Sequence, residues 1–565
     1  MTTVASNPSG AQPAEQRRMR REIGPVGILF TSVGIVIGSG WLFGALKGAE
    51  IAGPAALFSW LIGAVAILIL GLNLAELGGM YAVAGGLVRF PHFAFGSVVG
   101  FASGWFFFLA TVTVAPIETE AALTYSSAYL PPNLLLSGPH GSETLTLLGL
   151  GVAAVVMLLF SFLNVAGVRW LSEVNKYAVW WKIAIPLLTV VVLVVVAFHT
   201  SNFTAGGGFV PLGVQGIFIA VSTGGIIFAY TGFEGAVSFG AESKNPGRDI
   251  PLAVVGSMAI GFIIYIALQI AFIAALEPSA LSKGWSSLQF KNSSLGPFAA
   301  LAGTLGLGWL AVALYIDAIV SPAGTGLLSL ASGARTVFAL ARNRYIPELF
   351  AGLTTRGVPL TAVVLTFVVG LFVFLPFPGW SGLVGFISSA AVVTYALVPL
   401  SVGALRRQEP DRPRPFRLPG ASVMAPLGFI VANELILFAS FAVVWKLIVA
   451  ILVGFALLAI SMATTPPERR PSLDWPSARW LWPWLIGLLV ISLLGSFEKK
   501  TSEVIFGVTV PLNVLPFGVD MAVMAIFGAV IYYLAMRVRL APERATAYVV
   551  ELSAEEHELP EAPVH

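Results

Sequence analysis

Long apolar runs follow one another along the whole chain, separated by short polar or Pro/Gly-rich segments. A helix needs about 20 mainly apolar residues to cross the hydrocarbon core of a membrane. The pattern therefore predicts an all-α membrane protein with about 14 transmembrane helices. The predicted spans, numbered 1 to 14, are 24–46, 54–79, 96–130, 144–167, 174–198, 213–240, 252–276, 299–332, 358–376, 381–404, 424–441, 445–464, 479–497 and 518–537.

Composition supports the same class of protein. The chain has 565 residues, of which 57% are hydrophobic and 10% are charged. A soluble protein would carry roughly 25% charged residues. There are no cysteines, which excludes disulfides, zinc-thiolate sites and iron–sulfur clusters.

The positions of lysine and arginine orient the spans. Fourteen spans place both termini on one side, and a cytoplasmic N-terminus puts 24 of the 31 Lys and Arg residues in cytoplasmic segments, as the positive-inside rule requires. A basic cluster precedes the first run, which is long enough to span, so we interpret the cluster as a cytoplasmic anchor rather than part of a cleaved signal peptide. The cluster is Arg17, Arg18, Arg20 and Arg21, and the outer loops carry Lys47, Lys283, Lys291, Lys446, Lys499 and Lys500.

The predicted organisation has a transporter-sized core between polar ends. We expect disorder at 1–16 and 548–565, which are rich in Ala, Pro, Ser and Glu. The predicted segments are a cytoplasmic N-terminal tail at 1–22, a core at 23–404 made of two repeats at 23–198 and 213–404, a cytoplasmic loop at 405–423, four additional helices at 424–540 and a cytoplasmic C-terminal tail at 541–565.

Two of the apolar runs are interrupted at mid-membrane by small and polar residues. "GIVIGSGWLFG" (34–44) lies in span 1 and "GGIIFAYTGFEGAVSFGAE" (224–242) lies in span 6. Five spans separate them, so the two helices cross the membrane in opposite directions, which is typical of inverted repeats with discontinuous helices. Unwound backbone at this depth is tolerated only where it is buried in protein or lines a cavity.

The two interruptions offer complementary backbone groups. A half-helix beginning at Gly40 would present free N–H groups and its positive dipole end, which suits a carboxylate. Free carbonyls near Phe228, Ala229 and Thr231 would suit an ammonium group. Together they predict a site for an α-amino acid. The alternative interpretation is that the glycines only permit close helix packing.

Ionisable residues within the spans are further candidates, because burying them is costly unless they are functional or paired. Lys182 lies deep in span 5 and is a candidate for proton coupling, the alternative being a static pair with a carboxylate. Glu118 and Glu120 of span 3 are further candidates for proton coupling. They point to different faces of the helix, so we expect Glu118 to pair with Lys182 and Glu120 to line the cavity or reach the outer vestibule. Glu234 and Asp317 are candidates for gating or for support of the site, with local structural roles as alternatives.

Three stretches carry a resemblance to a known family. "GIVIGSGWLFG", "FAYTGFEGAVSFGAESKNPGRDIPLAV" (228–254) and "MYAVAGGLVRFPHFAFGSVVGFASGW" (80–105) resemble motifs of the amino acid–polyamine–organocation superfamily of transporters, although Val88 replaces the usual aromatic. "APIETEAA" (115–122) and "DAIVSPAGTGLL" (317–328) are most similar to its aspartate:proton symporter branch.

The resemblance implies a leucine-transporter-type fold of five plus five inverted spans with four additional helices. It implies that Lys182 stands where sodium-coupled relatives hold a sodium ion. It also implies one set of backbone groups for the substrate carboxylate and another for its amine. The first set is Gly38, Ser39 and Gly40, and the second is Phe228, Ala229 and Thr231.

The sequence thus predicts a secondary transporter that takes up an amino acid with protons across the plasma membrane. No histidine lies mid-span and no G-x-x-x-x-G-K-[ST] run is present, so we expect neither an enzyme nor ATP-driven transport. The predicted partners are an amino acid, a proton as coupling ion and the lipid bilayer, with no cofactor, metal or nucleic acid, and spans 11 to 14 offer a surface for a homodimer. An amino acid/polyamine exchanger of the same fold and an ion channel are the alternatives, and the side chain of the substrate stays unassigned.

Overall fold

The computed structural model describes residues 23–557, apart from 82, 84, 139–143, 166–167, 289–295, 355–356, 375–378, 498–502, 506–507 and 511. The predicted N-terminal tail with its arginine cluster lies outside the described residues. The same holds for the end of the C-terminal tail and for three of the predicted outer lysines, Lys291, Lys499 and Lys500.

Helices account for nearly all of the regular structure in the described residues. The α-helices are Pro25–Val36, Gly40–Ala52, Ala56–Met80, Gly86–Phe95, Ser97–Ser127, Leu147–Val165, Val168–Val196, Gly213–Thr223, Ile226–Tyr230, Gly235–Ser238, Pro246–Ala275, Pro297–Thr304, Gly308–Arg342, Leu360–Val373, Gly379–Gln408, Ala421–Leu437, Phe441–Thr464, Leu481–Leu494, Val519–Val538 and Pro542–His557. Short 3-10 helices are Gly53–Ala55, Thr200–Phe203, Gly240–Glu242, Pro278–Leu281, Trp285–Ser287, Glu348–Ala351, Pro467–Arg469 and Trp475–Ala478.

Two small antiparallel hairpins lie in the loops after spans 3 and 13. Leu136–Ser137 pairs with Thr144–Leu145, and Glu503–Ile505 pairs with Val508–Val510. The sequence did not predict them, because strands of two or three residues are too short to show an alternating pattern.

By length and composition, ten of the described helical segments can cross a membrane. Four further apolar helices have 11 to 17 residues and belong to spans 1, 6, 9 and 11. One of the ten segments, Gly40–Met80, joins the second half of span 1 to span 2. Each predicted span contains one of these helices, which confirms the predicted all-α membrane architecture.

Burial separates central spans from peripheral ones. In an 18-residue apolar stretch of span 10, 100% of the residues are buried inside the protein, and in the matching stretch of span 3 the share is 89%. In the corresponding stretch of span 12, only 28% of the residues are buried. A residue such as Glu118 in span 3 therefore faces other helices, whereas most of span 12 faces the surroundings of the protein.

Span 8 differs from its predicted bounds of 299–332. Its helix is Gly308–Arg342, and Pro297–Thr304 forms a separate short helix. Between the two, Gly306 has a φ of +72°, a left-handed conformation that glycine adopts at little cost and that ends the first helix.

The start of span 1 and the ends of spans 6 and 8 are joined by hydrogen bonds and an ion pair. The Ile23 N–H donates to the Glu242 carbonyl at 3.0 Å, and the Lys244 N–H donates to the Ile23 carbonyl at 2.9 Å. Arg335 lies beyond the predicted end of span 8 at residue 332, but it is helical and buried. Its guanidinium forms an ion pair with the Glu242 side chain at 2.9 Å.

The C-terminal segment also differs from the prediction. Disorder was expected from residue 548, but Pro542–His557 forms a helix. Arg544 forms an ion pair with Asp474 at 2.8 Å, and the Tyr548 hydroxyl donates to the same carboxylate at 2.7 Å. These contacts and the buried Val549 hold the start of the helix against the loop that precedes span 13.

Candidate functional site

Span 1 is interrupted at residues 37–39, here called the first break. The helix Pro25–Val36 ends on one side of it and the helix Gly40–Ala52 begins on the other. The break therefore exposes the carbonyl end of one half-helix and the N–H end of the next. Both ends carry partial charges of the helix dipole and need partners, because the region is buried.

Side chains from three other spans occupy the carbonyl end of the first break. The Lys182 amine of span 5 donates to the Gly34 carbonyl at 2.6 Å and to the Thr325 hydroxyl at 3.0 Å. That hydroxyl, from span 8, lies 3.0 Å from the same Gly34 carbonyl. In span 7, Tyr265 donates through its hydroxyl to the Val36 carbonyl at 2.7 Å. A cation at a helix C-terminus is favoured by the dipole.

At the N–H end of the first break the partner is acidic. The Ser39 N–H donates to Glu118 Oε2 at 2.8 Å. Gly38 leaves room for this carboxylate, since a Cβ there would lie 2.5 Å from Glu118 Oε1. Trp380 at the start of span 10 donates through its indole N–H to the Ser39 hydroxyl at 2.9 Å. The first break is thus held by charged and polar groups of opposite sign at its two ends.

Span 6 is interrupted twice. Gly224 and Gly225 separate the helices Gly213–Thr223 and Ile226–Tyr230, and Gly225 has a left-handed φ of +84°. The second interruption, residues 231–234, is here called the second break, and it ends where Gly235–Ser238 begins. It is the counterpart of the first break that the sequence predicts.

Residues of the second break satisfy one another. The Gly232 N–H donates to Glu234 Oε2 at 2.8 Å. The Phe228 carbonyl accepts from the Thr231 hydroxyl at 2.7 Å and from the Thr231 N–H at 3.1 Å. This carbonyl, predicted to be free for an ammonium group, therefore already has donors. Glu234 thus bonds to the backbone of the second break itself.

The two breaks lie against each other. A Cβ at Gly40 would be 2.8 Å from Ala229 Cα, and one at Gly232 would be 2.7 Å from the Val36 nitrogen. Ser32 of span 1 bridges to span 6, since its hydroxyl accepts from the Ala236 N–H at 2.9 Å. Glycine at these two positions is required for the close approach of the backbones.

A cavity lies between the two breaks. Its described lining comprises Ile35, Val36, Gly38, Gly40, Ala110, Thr111, Val114, Glu118, Phe228, Thr231, Gly232, Glu234, Gly235, Thr325, Ser329, Ser332, Ile387 and Ala391. None of these described lining residues is basic, and two are acidic.

The structure brings most of the predicted site residues to this cavity. Those that line it are Gly38, Gly40, Phe228, Thr231, Glu118 and Glu234. Ser39 and Ala229 are the chain neighbours of lining residues, and Lys182 reaches the first break from behind it. Asp317 and Glu120 are buried but are absent from the described lining.

Comparison with known proteins places the chain in a family. Residues 23–491 match the amino acid permease family. The chain belongs to this family. This confirms the resemblance to the amino acid–polyamine–organocation superfamily, and it makes the protein a multi-pass membrane permease for amino acids.

The permease is similar to named transporters over most of its length. It is 38% identical to the glutamate/serine transporter AimA of Bacillus subtilis, over 92% of this chain and 94% of the relative. It is 33% identical to the aspartate-proton symporter of the same organism, over 95% and 99%. The branched-chain amino acid permease BcaP, also of B. subtilis, is 25% identical over 79% and 94%. All three carry the names of transporters or permeases and not of enzymes, as the sequence predicts.

The expected ion pair between Glu118 and Lys182 is absent from the permease. Glu118 is bound to the Ser39 N–H and Lys182 to the Gly34 carbonyl. Asp317, the other acidic candidate near Lys182, instead accepts from the Ser321 hydroxyl at 2.8 Å. Among the described residues, no carboxylate forms an ion pair with Lys182.

Several residues of the site were not singled out from the sequence. Thr325 and Tyr265 bind carbonyls of the first break, and Trp380 binds Ser39 while its ring lies 4.9 Å from that of Phe43. The cavity also gains hydroxyls from Thr111, Ser329 and Ser332. The only signal for Thr325 was its place in the "SPAGTG" stretch, because a single hydroxyl in an apolar helix gives no periodic pattern.

Proposed function

We propose that this permease couples uptake of an amino acid across the plasma membrane to the entry of protons, by alternating access. Lys182 carries the proposal. It is fully buried, and no carboxylate of the described residues forms an ion pair with it. A buried charge that no direct ion pair neutralises is costly, so such an amine is suited to lose a proton and regain it as its surroundings change.

Lys182 is also placed to transmit that change. Its amine binds the Gly34 carbonyl of span 1 and the Thr325 hydroxyl of span 8. Loss of the proton removes a charge-assisted hydrogen bond from the end of the first half-helix. Protonation of Lys182 thereby biases how spans 1, 5 and 8 pack, which is the kind of link that coupling requires.

Within this proposal, the two breaks hold the substrate. Backbone N–H groups of Gly38, Ser39 and Gly40 receive its carboxylate. Its ammonium group lies near the backbone of Ala229 and Thr231, and Phe228 contributes its ring and carbonyl to the same wall. Glu234 supports the second break, and Asp317 acts as a buried support behind the cavity.

For the substrate side chain we propose a small polar group. The cavity offers the hydroxyls of Thr111, Ser329 and Ser332, and Ser329 Oγ is buried without a partner among the described residues. Serine fits this lining. An acidic side chain would meet Glu118 and Glu234 with no basic residue in the described lining, so it would enter with a proton on one carboxyl group. The names of the two most similar relatives reported above include serine, glutamate and aspartate.

The test is uptake of labelled L-serine by proteoliposomes that contain the full chain. We expect an imposed pH gradient, acidic outside, to drive accumulation in the absence of sodium. Accumulation that requires sodium and ignores the pH gradient would contradict proton coupling. Exchange against preloaded serine that persists without any gradient, combined with no net accumulation, would instead support the exchanger.

A further inference from the structure

The N–H end of the first break is already occupied by a carboxylate of the permease itself. Glu118 Oε2 accepts from the Ser39 N–H at 2.8 Å. The proposed function assigns this same end of the half-helix to the carboxylate of the substrate. Glu118 therefore stands in a position that another anion would need.

The residues around Glu118 accommodate its carboxylate at this position. Gly38 gives Glu118 its room, because a Cβ would lie 2.5 Å from Oε1 and 2.8 Å from the Thr325 hydroxyl. Glu118 is 1% exposed and lines the cavity. Its Oε1 is buried and has no hydrogen-bond partner among the described residues. One oxygen thus caps the helix while the other is free to hold a proton.

The charges around Glu118 cannot neutralise two anions at this point. Lys182 interacts electrostatically with Glu118, but its hydrogen bonds are made to the Gly34 carbonyl and the Thr325 hydroxyl. Tyr265 of span 7 is a neutral neighbour, and Glu234 of span 6 adds a second carboxylate to the same cavity. Asp317 of span 8 is buried near Lys182.

We propose that Glu118 is an internal competitor of the substrate carboxylate, and that the substrate binds only when Glu118 has taken up a proton. This rests on the proposed function. In the empty site the ionised Glu118 holds the Ser39 N–H. When an amino acid enters from outside, its carboxylate takes that N–H, and Glu118 Oε1 binds one proton from the outer solution. When the substrate leaves to the inside, Glu118 releases this proton and bonds to Ser39 again.

The physical reason is repulsion between like charges. Two carboxylates that share one helix end would lie a few ångströms apart in a medium of low dielectric constant, which strongly disfavours the doubly ionised state. One proton on Glu118 removes that repulsion. The carboxyl group then becomes a hydrogen-bond donor that the incoming carboxylate can accept from.

The first test compares three forms of the full-length protein: wild type, Glu118→Gln and Glu120→Gln. Affinity for L-serine and for L-glutamate is measured by isothermal calorimetry between roughly pH 5 and pH 9. The wild type should bind more tightly as the pH falls, with a limiting slope of about tenfold per pH unit for one linked proton. Glu118→Gln should lose this slope and keep the affinity that the wild type has at low pH.

Glu120→Gln is the matched control, because Glu120 is buried in the same helix two residues away and is absent from the described lining. It should keep the slope of the wild type. A wild-type slope in Glu118→Gln would overturn the proposal, and so would a slope lost equally in both variants.

A second measurement needs no variant and covers the case in which Glu118→Gln fails to fold. Serine is added to the wild type in weakly buffered solution with an indicator dye. We expect uptake of about one proton per bound serine above the pH at which the affinity slope sets in. Binding without proton uptake would overturn the competition by Glu118. Uptake into liposomes that ignores the pH gradient would contradict the proposed function itself, which keeps the two failures distinct.

Discussion

Both breaks arise where small and polar residues interrupt an apolar run, but the two breaks are stabilised in different ways. The first break depends on distant side chains, with Glu118 at one end and Lys182, Thr325 and Tyr265 at the other. The second break is largely satisfied within a few residues, as the bond from the Gly232 N–H to Glu234 illustrates. Internal repeats therefore need not share their chemistry, and the first break is the one that is held by side chains of other spans.

The largest effect should come from Lys182→Met. The change removes the donor to the Gly34 carbonyl and the proposed proton-binding group, while it keeps most of the apolar volume. We expect gradient-driven serine uptake to fall by about 100-fold or more, which corresponds to about 2.7 kcal/mol. Lys176→Met, at an exposed position of the same helix, is the control and should transport like the wild type. Proton-driven uptake retained by Lys182→Met would remove Lys182 from the coupling mechanism.

Gly38→Ala should be the next most damaging substitution. The added Cβ would lie 2.5 Å from Glu118 Oε1 and 2.8 Å from the Thr325 hydroxyl, so the first break has to shift. We expect substrate affinity to weaken by roughly 10- to 100-fold, in line with the cost of overpacking a buried site. Gly151→Ala serves as control, since nothing lies within 4 Å of its added Cβ. Equal affinity in the two variants would show that the first break tolerates displacement.

Thr325→Val tests the carbonyl end of the first break. It removes a hydroxyl that lies 3.0 Å from the Gly34 carbonyl and 3.0 Å from the Lys182 amine. We expect a loss of about 1–3 kcal/mol in the free energy of unfolding, because buried polar groups lose a partner. The control is Thr366→Val, whose hydroxyl bonds only within its own helix, to Ala362 at 2.8 Å. Thermal unfolding of the two variants side by side measures the difference.

The smallest effect is expected for Glu234→Gln in the second break. A glutamine oxygen can still accept from the Gly232 N–H, so the local loop should persist. The affinity for serine should change by less than about threefold, and its pH dependence should stay that of the wild type. If the pH dependence of serine affinity were lost in Glu234→Gln but kept in Glu118→Gln, the second break and not the first would contain the group that binds the linked proton.

Much of the fold can be predicted from the sequence because membrane helices leave a strong signal. Runs of about 20 apolar residues separate spans from loops without any need for fine periodicity. The breaks are equally readable, since Gly38–Gly40 and Gly232 interrupt apolar runs at mid-membrane. Turns within a span are harder to predict from the sequence. Nothing in the sequence distinguishes Gly306 from the other glycines, and only its φ shows that a helix ends there.

The partners of buried side chains could not be predicted in the same way. Glu118 and Glu120 differ by about 200° around a helix, but the sequence does not tell which of them faces span 1. Lys182 was expected to bind Glu118, and it binds a carbonyl instead. Opposite charges in neighbouring spans suggest an ion pair. The ends of broken helices, however, offer backbone carbonyl and N–H groups that compete for the same side chains, and only the three-dimensional arrangement shows which partner is used.

The backbone hydrogen bonds of Ile23 constrain how the start of span 1 can move. Ile23 joins the start of span 1 to Glu242 and Lys244, just after span 6, through two backbone hydrogen bonds. A motion that tilted the first half of span 1 alone would have to break both bonds. If both bonds persist, the first half of span 1 and the end of span 6 move as one rigid unit that is bounded by the two breaks.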